Sequence, residues 1–200
     1  MMQLPILLAT ALRVFVTPTG AGDMSGTSWA TAMSSIAAAV AAVGESADGG
    51  EVWVQGGKYD VGTTMTLKAN TQVIGGFKGN EDSVEDADPE ANQTILTATA
   101  RMDTQWDDGS PVWTSEDGKW TYHPPVGFSF VKACTGVTAF SDAEEGSPNC
   151  GIRGLTFTLF NRTVVDFFHA GSDGLVVSKC RFLANNGSAS SFSGKSRRLW

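Results

Sequence analysis

The chain has 200 residues, a formal net charge of −7 at pH 7 and 23 glycines. This acidic balance excludes a nucleic-acid-binding face from our interpretation, because such faces concentrate Lys and Arg. The single basic run, Lys195–Arg198, is interpreted as a solvated tail. Three cysteines without a CxxC pair give no support to a zinc site. The composition fits one globular domain or part of a larger one.

Residues 1–13 are mostly apolar and include a small-residue close at Ala9-Thr10-Ala11. They resemble the end of a secretory signal peptide, although the basic residues that usually begin one are missing. Either this is a signal-peptide remnant with a truncated start, or it is simply a first strand. We expect the remnant, and with it an extracellular or cell-surface location. No later run approaches the ~20 apolar residues of a membrane span.

Residues 14–48 predict a strand followed by a capping helix. Val14-Phe15-Val16 is β-branched and aromatic, and Thr17-Pro18 ends it. Apolar residues then recur every three or four positions from Trp29 to Val43, which places them on one face of a helix. Thr27 or Ser28 is the expected N-cap, and Gly44 the expected C′ residue. Such a helix would close the open end of a stack of coils.

From residue 49 onward, short apolar runs return at intervals in the twenties. Trp53, Val73 and Ile95 mark three of them, 20 and 22 residues apart, and Phe157 and Phe182 are 25 residues apart. Each run is bounded by Gly, Asn or Asp, which is typical of short strands cut by turns. A period in the twenties indicates a solenoid of stacked coils. We assign residues 49–200 to these coils and expect them to be truncated at the C-terminus, because no capping element follows.

Residues 99–126 interrupt the repeat and predict a side insertion. Asp117-Gly118 lies between the aromatic runs 112–114 and 119–122, which favours a hairpin. The insertion is too short to bury all of its aromatic residues, and exposed aromatic faces stack on sugar rings. We therefore predict substrate-binding roles for Trp106, Trp113, Trp120 and Tyr122. The alternative is that they pack the hairpin against the coils.

Seven stretches carry a family resemblance. In chain order they are VFVTPTG (14–20), GTSWATA (26–32), GEVWVQGGKY (50–59), LKANTQVIGGFKG (67–79), DPEANQTILTA (88–98), IRGLTF (152–157) and GLVVSKCRFLANN (174–186). Together they resemble the N-terminal region and coils of bacterial right-handed parallel β-helix proteins of the pectin-lyase-like superfamily. The resemblance implies a mainly β, right-handed parallel β-helix in an extracellular protein. It implies little about function, because this fold carries lyases, hydrolases, adhesins and tailspikes alike.

We expect a carbohydrate- or surface-binding protein whose partner is a polysaccharide or cell-surface glycan. One alternative is the N-terminal part of a polysaccharide lyase or glycoside hydrolase, and another is an adhesin or autotransporter-like passenger fragment. An Asp166–His169 cluster with Arg or Lys in a groove would favour the enzyme, but catalytic residues are not assigned. We expect no cofactor and no nucleic-acid partner, and self-association through an uncapped C-terminal coil.

Two acidic groups, residues 81–90 and 103–108, lie in predicted loops. A hard cation needs several converging oxygen ligands, and neither group has the spacing of an EF-hand, so no metal site is assigned. Cys134 and Cys150 bracket a polar loop. They either form a disulfide in an oxidising compartment or remain buried thiols.

Overall fold

The described part of the chain, in this computed structural model, is mainly β-structure with parallel sheets and one α-helix. The structure describes residues 12–98, 138–160, 163–167, 169, 171–183 and 185, and the backbone alone of 113–114, 121–122, 190–192 and 197–199. The helix, α1, spans Ile36–Gly44.

The strands are short, mostly three to seven residues, as expected for a chain with frequent turns. In chain order they are β1 (Leu12–Val16), β2 (Gly50–Gln55), β3 (Gly57–Val61), β4 (Met65–Leu67), β5 (Thr71–Phe77), β6 (Thr94–Ala98), β7 (Trp113–Thr114), β8 (Thr121–Tyr122), β9 (Phe140–Asp142), β10 (Gly151–Arg153), β11 (Leu155–Thr158), β12 (Val165–Phe167), β13 (Leu175–Ser178), β14 (Arg181–Leu183), β15 (Ser190–Phe192) and β16 (Arg197–Leu199).

Fourteen of these strands form three parallel sheets, and β7 pairs only with β8. Sheet A has the order β1-β2-β5-β10-β13-β16, sheet B the order β3-β6-β11-β14, and sheet C the order β4-β9-β12-β15. From β2 onward the chain passes through sheets A, B and C in turn, and then returns to sheet A beside the strand that it left. We call one such passage a circuit. Circuits repeat although long segments interrupt them, since β4 pairs directly with β9.

A column of left-handed residues closes each circuit just before it re-enters sheet A. Gly49, Asn70, Asn149 and Gly174 occupy equivalent positions, with φ of 72°, 58°, 57° and 77°. Gly and Asn tolerate this conformation better than other residues. The Nδ2 group of Asn149 donates to Oδ1 of Asn70 at 3.2 Å. The same turn is therefore built four times, and it keeps successive strands in register.

The main core lies between the three sheets. Phe140, Phe157, Phe160 and Phe167 belong to it and are at most 1% exposed. Phe157 pairs in register with Phe182, and their rings stack with centroids 5.1 Å apart. The predicted 25-residue interval between these two residues is thereby confirmed as a step from one strand to its neighbour in sheet B.

Helix α1 packs against β1, β2, β4 and β5, at the position predicted for the cap. It starts later than predicted, because Trp29–Thr31 forms only a 3-10 turn and Ser35 is the N-cap. The break follows from Met33, whose backbone N–H donates to the carbonyl of Phe15 at 2.9 Å. The predicted N-cap at Thr27 or Ser28 is therefore wrong for α1. Gly44 is its last helical residue rather than the C′ residue.

Two interpretations of the repeat need correction. The runs at Val73 and Ile95 belong to different sheets, so the 22-residue interval between them is not one circuit. Val73 instead pairs with Val52 and Ile152. Strands β3 and β4 lie between the runs that we predicted and were missed. At the other end, Arg197 and Arg198 belong to β16 in sheet A, so the prediction of a solvated tail is wrong for their backbone.

The predicted hairpin is present as backbone. Strands β7 and β8 are antiparallel and place Trp113 opposite Tyr122. Residues 99–112, 115–120 and 123–137 lie outside the described part of the chain. Residues 1–11, which carry most of the predicted signal-peptide remnant, lie outside it too, whereas Leu12 and Arg13 belong to β1.

Candidate functional site

A second hydrophobic cluster covers the outer face of sheet A on strands β1, β2 and β5. Trp53 is fully buried and stacks on Phe77, with ring centroids 4.4 Å apart and an interplanar angle of 9°. Phe15 and Trp29 extend the cluster, and their rings meet edge to face with centroids 4.8 Å apart. Ile74 is also buried in it. Packing of this kind leaves no open surface for a ligand on this part of sheet A.

Polar groups around that cluster are also satisfied. The indole N–H of Trp53 donates to Glu51 at 2.8 Å, and the Arg13 guanidinium lies 3.9 Å from the Trp53 ring centroid. The Glu81 carboxylate accepts the backbone N–H groups of residues 78–80. Burial raises the pKa of Glu81, but these backbone donors outweigh it and hold the pKa below its usual value. We therefore assign a structural role to these charges.

Sheet B presents a mixed outer face. Lys58 and Asp60 on its edge strand β3 are exposed. Alternation along β6 and β11 directs Thr97 and Thr156 outward as well, yet both are buried, at 3% and 6% exposure. The middle of this face is therefore only partly covered, because Ile95 and Thr158, at the neighbouring outward positions, are half-buried.

Sheet C has an outer face of small polar side chains that stays partly open. Thr66, Ser141 and Asp166 pair in register on β4, β9 and β12, and Ser191 of β15 follows at the same register position. Thr66 is exposed, and Ser141 and Asp166 are half-buried. The two hydroxyl oxygens of Thr66 and Ser141 lie 3.3 Å apart. We call Thr66, Ser141 and Asp166 the sheet C row.

A hydrogen-bond network stands at the end of sheet C, where the chain turns towards sheet A. The Asp142 side chain is 1% exposed. Its carboxylate accepts the backbone N–H of His169 at 2.8 Å, the Nδ1–H group of the same residue at 2.9 Å, and the hydroxyl of Ser172 at 2.6 Å. A buried carboxylate requires such donors. Asp142 thereby fixes both the backbone and the ring of His169.

The network sets the protonation pattern of the histidine ring. Because a carboxylate only accepts, Nδ1 carries the proton, and the neutral ring then has its lone pair on Nε2. The His169 side chain is 35% exposed. An imidazole held in this way is chemically able to exchange a proton with a ligand. Ser172 donates to the carboxylate and not to the ring, so the group is not a Ser-His-Asp relay.

Buried groups tie this corner to the preceding circuit. The Ser147 backbone N–H donates to Ser172 at 3.0 Å, and its hydroxyl donates to the carbonyl of Leu67. The Cys150 thiol donates to the carbonyl of Lys68 at 2.8 Å. Burial, with a further contribution from the charge of Asp142, raises the pKa of Cys150 to about 11. The thiol of Cys150 is free, and Cys134 lies outside the described residues.

The structure brings only some of the singled-out residues together. Trp113 and Tyr122 pair through their backbones, while their side chains, with Trp106 and Trp120, lie outside the described part. Asp166 stands in the sheet C row, and His169 bonds to Asp142 rather than forming the cluster with Asp166 that would have favoured an enzyme. Asp142 was missed. It precedes His169 by 27 residues, close to the 25-residue interval, and that spacing is the signal that predicts proximity.

Within the described ranges, no three His, Cys, Asp or Glu side chains come together in a way that would hold a metal ion. Membrane spanning was searched in the same ranges, and no helix there is both long and apolar enough to cross a bilayer. Comparison with protein-family models, curated proteins and solved structures gives no significant match in any of the three.

Proposed function

We propose that the chain is a right-handed parallel β-helix of the pectin-lyase-like type, secreted or displayed at a cell surface, which binds a polysaccharide or cell-surface glycan along its side. The solenoid is supported by the order in which the chain visits sheets A, B and C. The column of left-handed turns at Gly49, Asn70, Asn149 and Gly174 supports it further, because stacked coils repeat their corners.

The observation that carries the binding function is the sheet C row. Neighbouring strands are about 4.8 Å apart, so Thr66, Ser141 and Asp166 offer polar groups at a regular spacing along the stack. Hydroxyl and carboxylate groups both form hydrogen bonds with sugar hydroxyls. Aromatic packing covers the outer face of sheet A on β1, β2 and β5, and Thr97 and Thr156 of sheet B are buried. The row offers polar side chains on three successive strands of sheet C, and all three stay at least partly open to solvent.

The predicted aromatic residues complete this proposal. Trp106, Trp113, Trp120 and Tyr122 would supply ring faces for stacking, and the antiparallel pairing of β7 with β8 supports the hairpin that carries two of them. Polar rows orient sugar hydroxyls, whereas aromatic faces supply most of the buried area. We therefore propose that row and hairpin contribute separately to one extended binding surface.

A glycan array with two variants tests the proposal. We expect Thr66→Val/Ser141→Ala and Trp113→Ala/Trp120→Ala each to weaken binding by about tenfold, which corresponds to loss of one or two good contacts. The matched control is Lys58→Ala/Asp60→Ala on the exposed edge of sheet B, which should bind like the wild type. Unchanged binding in the Trp variant would remove the hairpin from the proposal, and unchanged binding in the row variant would remove the row.

A second candidate function, polysaccharide cleavage, is favoured by the Asp142–His169 pair. General acid–base catalysis needs a positioned side chain that can transfer a proton, and the Asp142 carboxylate holds the His169 ring in one orientation. A degradation screen that measures both reducing ends and unsaturated products would detect hydrolase or lyase activity. Under this alternative, His169→Gln retains glycan binding but releases no product. If the wild type releases no product from any polysaccharide it binds, this candidate is excluded.

The end of the stack carries a separate expectation. Strands β14, β15 and β16 lie at the ends of sheets B, C and A, and Leu183 on β14 is 53% exposed. In the part of the chain that the structure describes, no strand pairs with the outer edges of these three, and such edges favour pairing with another chain. We propose self-association through this end, which light scattering across a concentration series would detect. A monodisperse monomer at high concentration would exclude it.

A further inference from the structure

We propose that the glycan bound along the sheet C row carries no acid groups, and that a polymer of protonated amino sugars binds more tightly than its acetylated counterpart. This inference rests on the proposed function. It concerns the chemical class of the ligand, which is decided by the charges that surround the row rather than by the row's hydrogen-bonding groups.

The described surroundings of the row are acidic. Asp166 lies within the row itself and is half-buried, while the turns that follow β9 and β12 carry the exposed residues Glu144, Glu145 and Asp173. Both turns leave sheet C at the same end as Asp142, so they lie on the same side of the sheet's strands. A polyuronate laid along the row would bring its own carboxylates close to these side chains. Like charges at such distances repel one another.

Basic groups in the same described surroundings do not offset this charge. The Lys68 ammonium lies 3.2 Å from the Glu45 carboxylate, so its charge is already paired. The His169 ring lies 2.9 Å from the Asp142 carboxylate, so this histidine adds no net positive charge to the surface. The described residues of the row and its following turns therefore present a negative surface, in keeping with the chain's net charge of −7.

The expected discrimination is modest and depends on salt. Exposed ion pairs each change affinity by a factor of about two to five. Screening acts over about 8 Å at physiological ionic strength and over shorter distances at higher salt. The preference for an amino sugar over its acetylated form should therefore shrink as salt is added. Binding of the uncharged glycan depends on hydrogen bonds and stacking, and should hardly change.

The experiment measures the affinity of the full chain for three oligosaccharides of matched length: glucosamine, N-acetylglucosamine and galacturonic acid oligomers. Measurements at low and high salt use a mildly acidic buffer, so that the amine is protonated. We expect the order glucosamine, then N-acetylglucosamine, then galacturonic acid, from tightest to weakest. Asp166→Asn and Glu144→Gln/Glu145→Gln should each lower the glucosamine preference by about two- to fivefold. The control Asp60→Asn, on the edge of sheet B, should leave it unchanged.

The outcomes separate this inference from the function on which it rests. Tighter binding of the galacturonic acid oligomer than of the N-acetylglucosamine oligomer would overturn the inference and leave glycan binding intact. Equal affinity for the two glucosamine forms at both salt concentrations would overturn the amino-sugar preference. If none of the three binds, and the glycan array is also negative, the proposed function fails.

Discussion

The outer faces of sheets A and C are built on the same repeating backbone, but they differ in the size, polarity and exposure of their side chains. On sheet A, Trp53 is fully buried against Phe77. The Arg13 guanidinium lies over its ring, and the Glu51 carboxylate accepts its indole N–H. On sheet C, the equivalent outward positions carry Thr66, Ser141 and Asp166, which are at least partly open to solvent.

This difference shows how a stack of strands assigns roles to its sides. The inward residues must pack, so most of them are apolar in all three sheets, and buried polar ones such as Asp142 are held by hydrogen bonds. The outward residues have no such constraint, and each face is free to be sealed or left open. Large aromatic side chains on sheet A bury extensive surface and add stability. Small polar side chains on sheet C add little stability. Because they need not pack, they can remain open to a ligand.

The largest effect is expected from the sealed face. Trp53→Ala removes a fully buried ring and its stack with Phe77, which should lower the free energy of unfolding by about 3–5 kcal/mol. The matched change on the open face, Thr66→Ala, should cost less than about 0.5 kcal/mol. Equilibrium urea unfolding measures both. Similar losses in the two variants would contradict the contrast between the faces.

The corner beyond sheet C should be nearly as sensitive as the aromatic cluster. Asp142→Ala leaves at least three donors, two of them on His169 and one on Ser172, without their acceptor. We expect a loss of about 3 kcal/mol, because partly buried donors then lack partners. The matched change Asp166→Ala, at an aspartate on the neighbouring strand, should cost only about 0.5 kcal/mol. Urea unfolding decides, and equal effects would mean that the Asp142 network adds nothing.

Thiol chemistry probes how dry the packed interior is. Burial raises the pKa of both Cys150 and Cys180 to about 11. At pH 8 only about 0.1% of each thiol is then ionised, against roughly 25% for an ordinary cysteine. In a Cys134→Ser variant, a thiol-specific disulfide reagent should therefore label the native protein at least about 100-fold more slowly than the unfolded chain. Rapid labelling of either residue would contradict this burial.

The same thiols make stability depend on alkaline pH. Their folded-state pKa lies above the unfolded value of about 8.5, so the folded protein holds its protons longer. This contribution to stability is fully present below pH ~8.5 and is lost as pH rises towards 11. Urea unfolding at pH 8 and pH 10 should show the decrease, and a Cys150→Ser/Cys180→Ser variant should show less of it.

The smallest effect is expected at the left-handed corner that both faces share. Asn149 has φ of 57° and donates to Asn70. Asn149→Ala should cost about 1–2 kcal/mol, since alanine resists this conformation. Asn149→Gly keeps the backbone conformation and should cost less, although it loses the hydrogen bond. Unfolding curves of the two variants compare them directly, and a glycine variant weaker than the alanine variant would contradict the argument from backbone conformation.

The sequence predicts the strand positions better than their connections. The interval between Phe157 and Phe182 is one step of sheet B, because no insertion separates them. The interval between Val73 and Ile95 suggests another step, but these residues lie in different sheets. Apolar and polar residues alternate from Tyr59 to Val61 and from Met65 to Leu67, and the apolar ones are buried. This alternation is the sequence signal for β3 and β4. A search for continuous apolar runs overlooks it.

The candidate site is less predictable, because it depends on partners that are distant in the chain. Nothing near His169 in the sequence indicates that Asp142 holds its ring. Likewise, nothing in the sequence relates Thr66 to Ser141, and only the register of β4 and β9 shows that they are neighbours. In the helix, by contrast, the local sequence pattern predicts more structure than forms. Its apolar spacing extends back to Trp29, but the backbone pairing of Met33 with β1 prevents helix formation before Ser35.

The direct pairing of β4 with β9 has a practical consequence for protein engineering. Strands β5 and β6 lie on the N-terminal side of residues 99–137, and they pair with β10 and β11 on the C-terminal side. A single cut within residues 99–137 would therefore give two polypeptides joined by three parallel ladders and a common core. The chain thus offers a natural place to build a split protein whose halves reassemble without a covalent link.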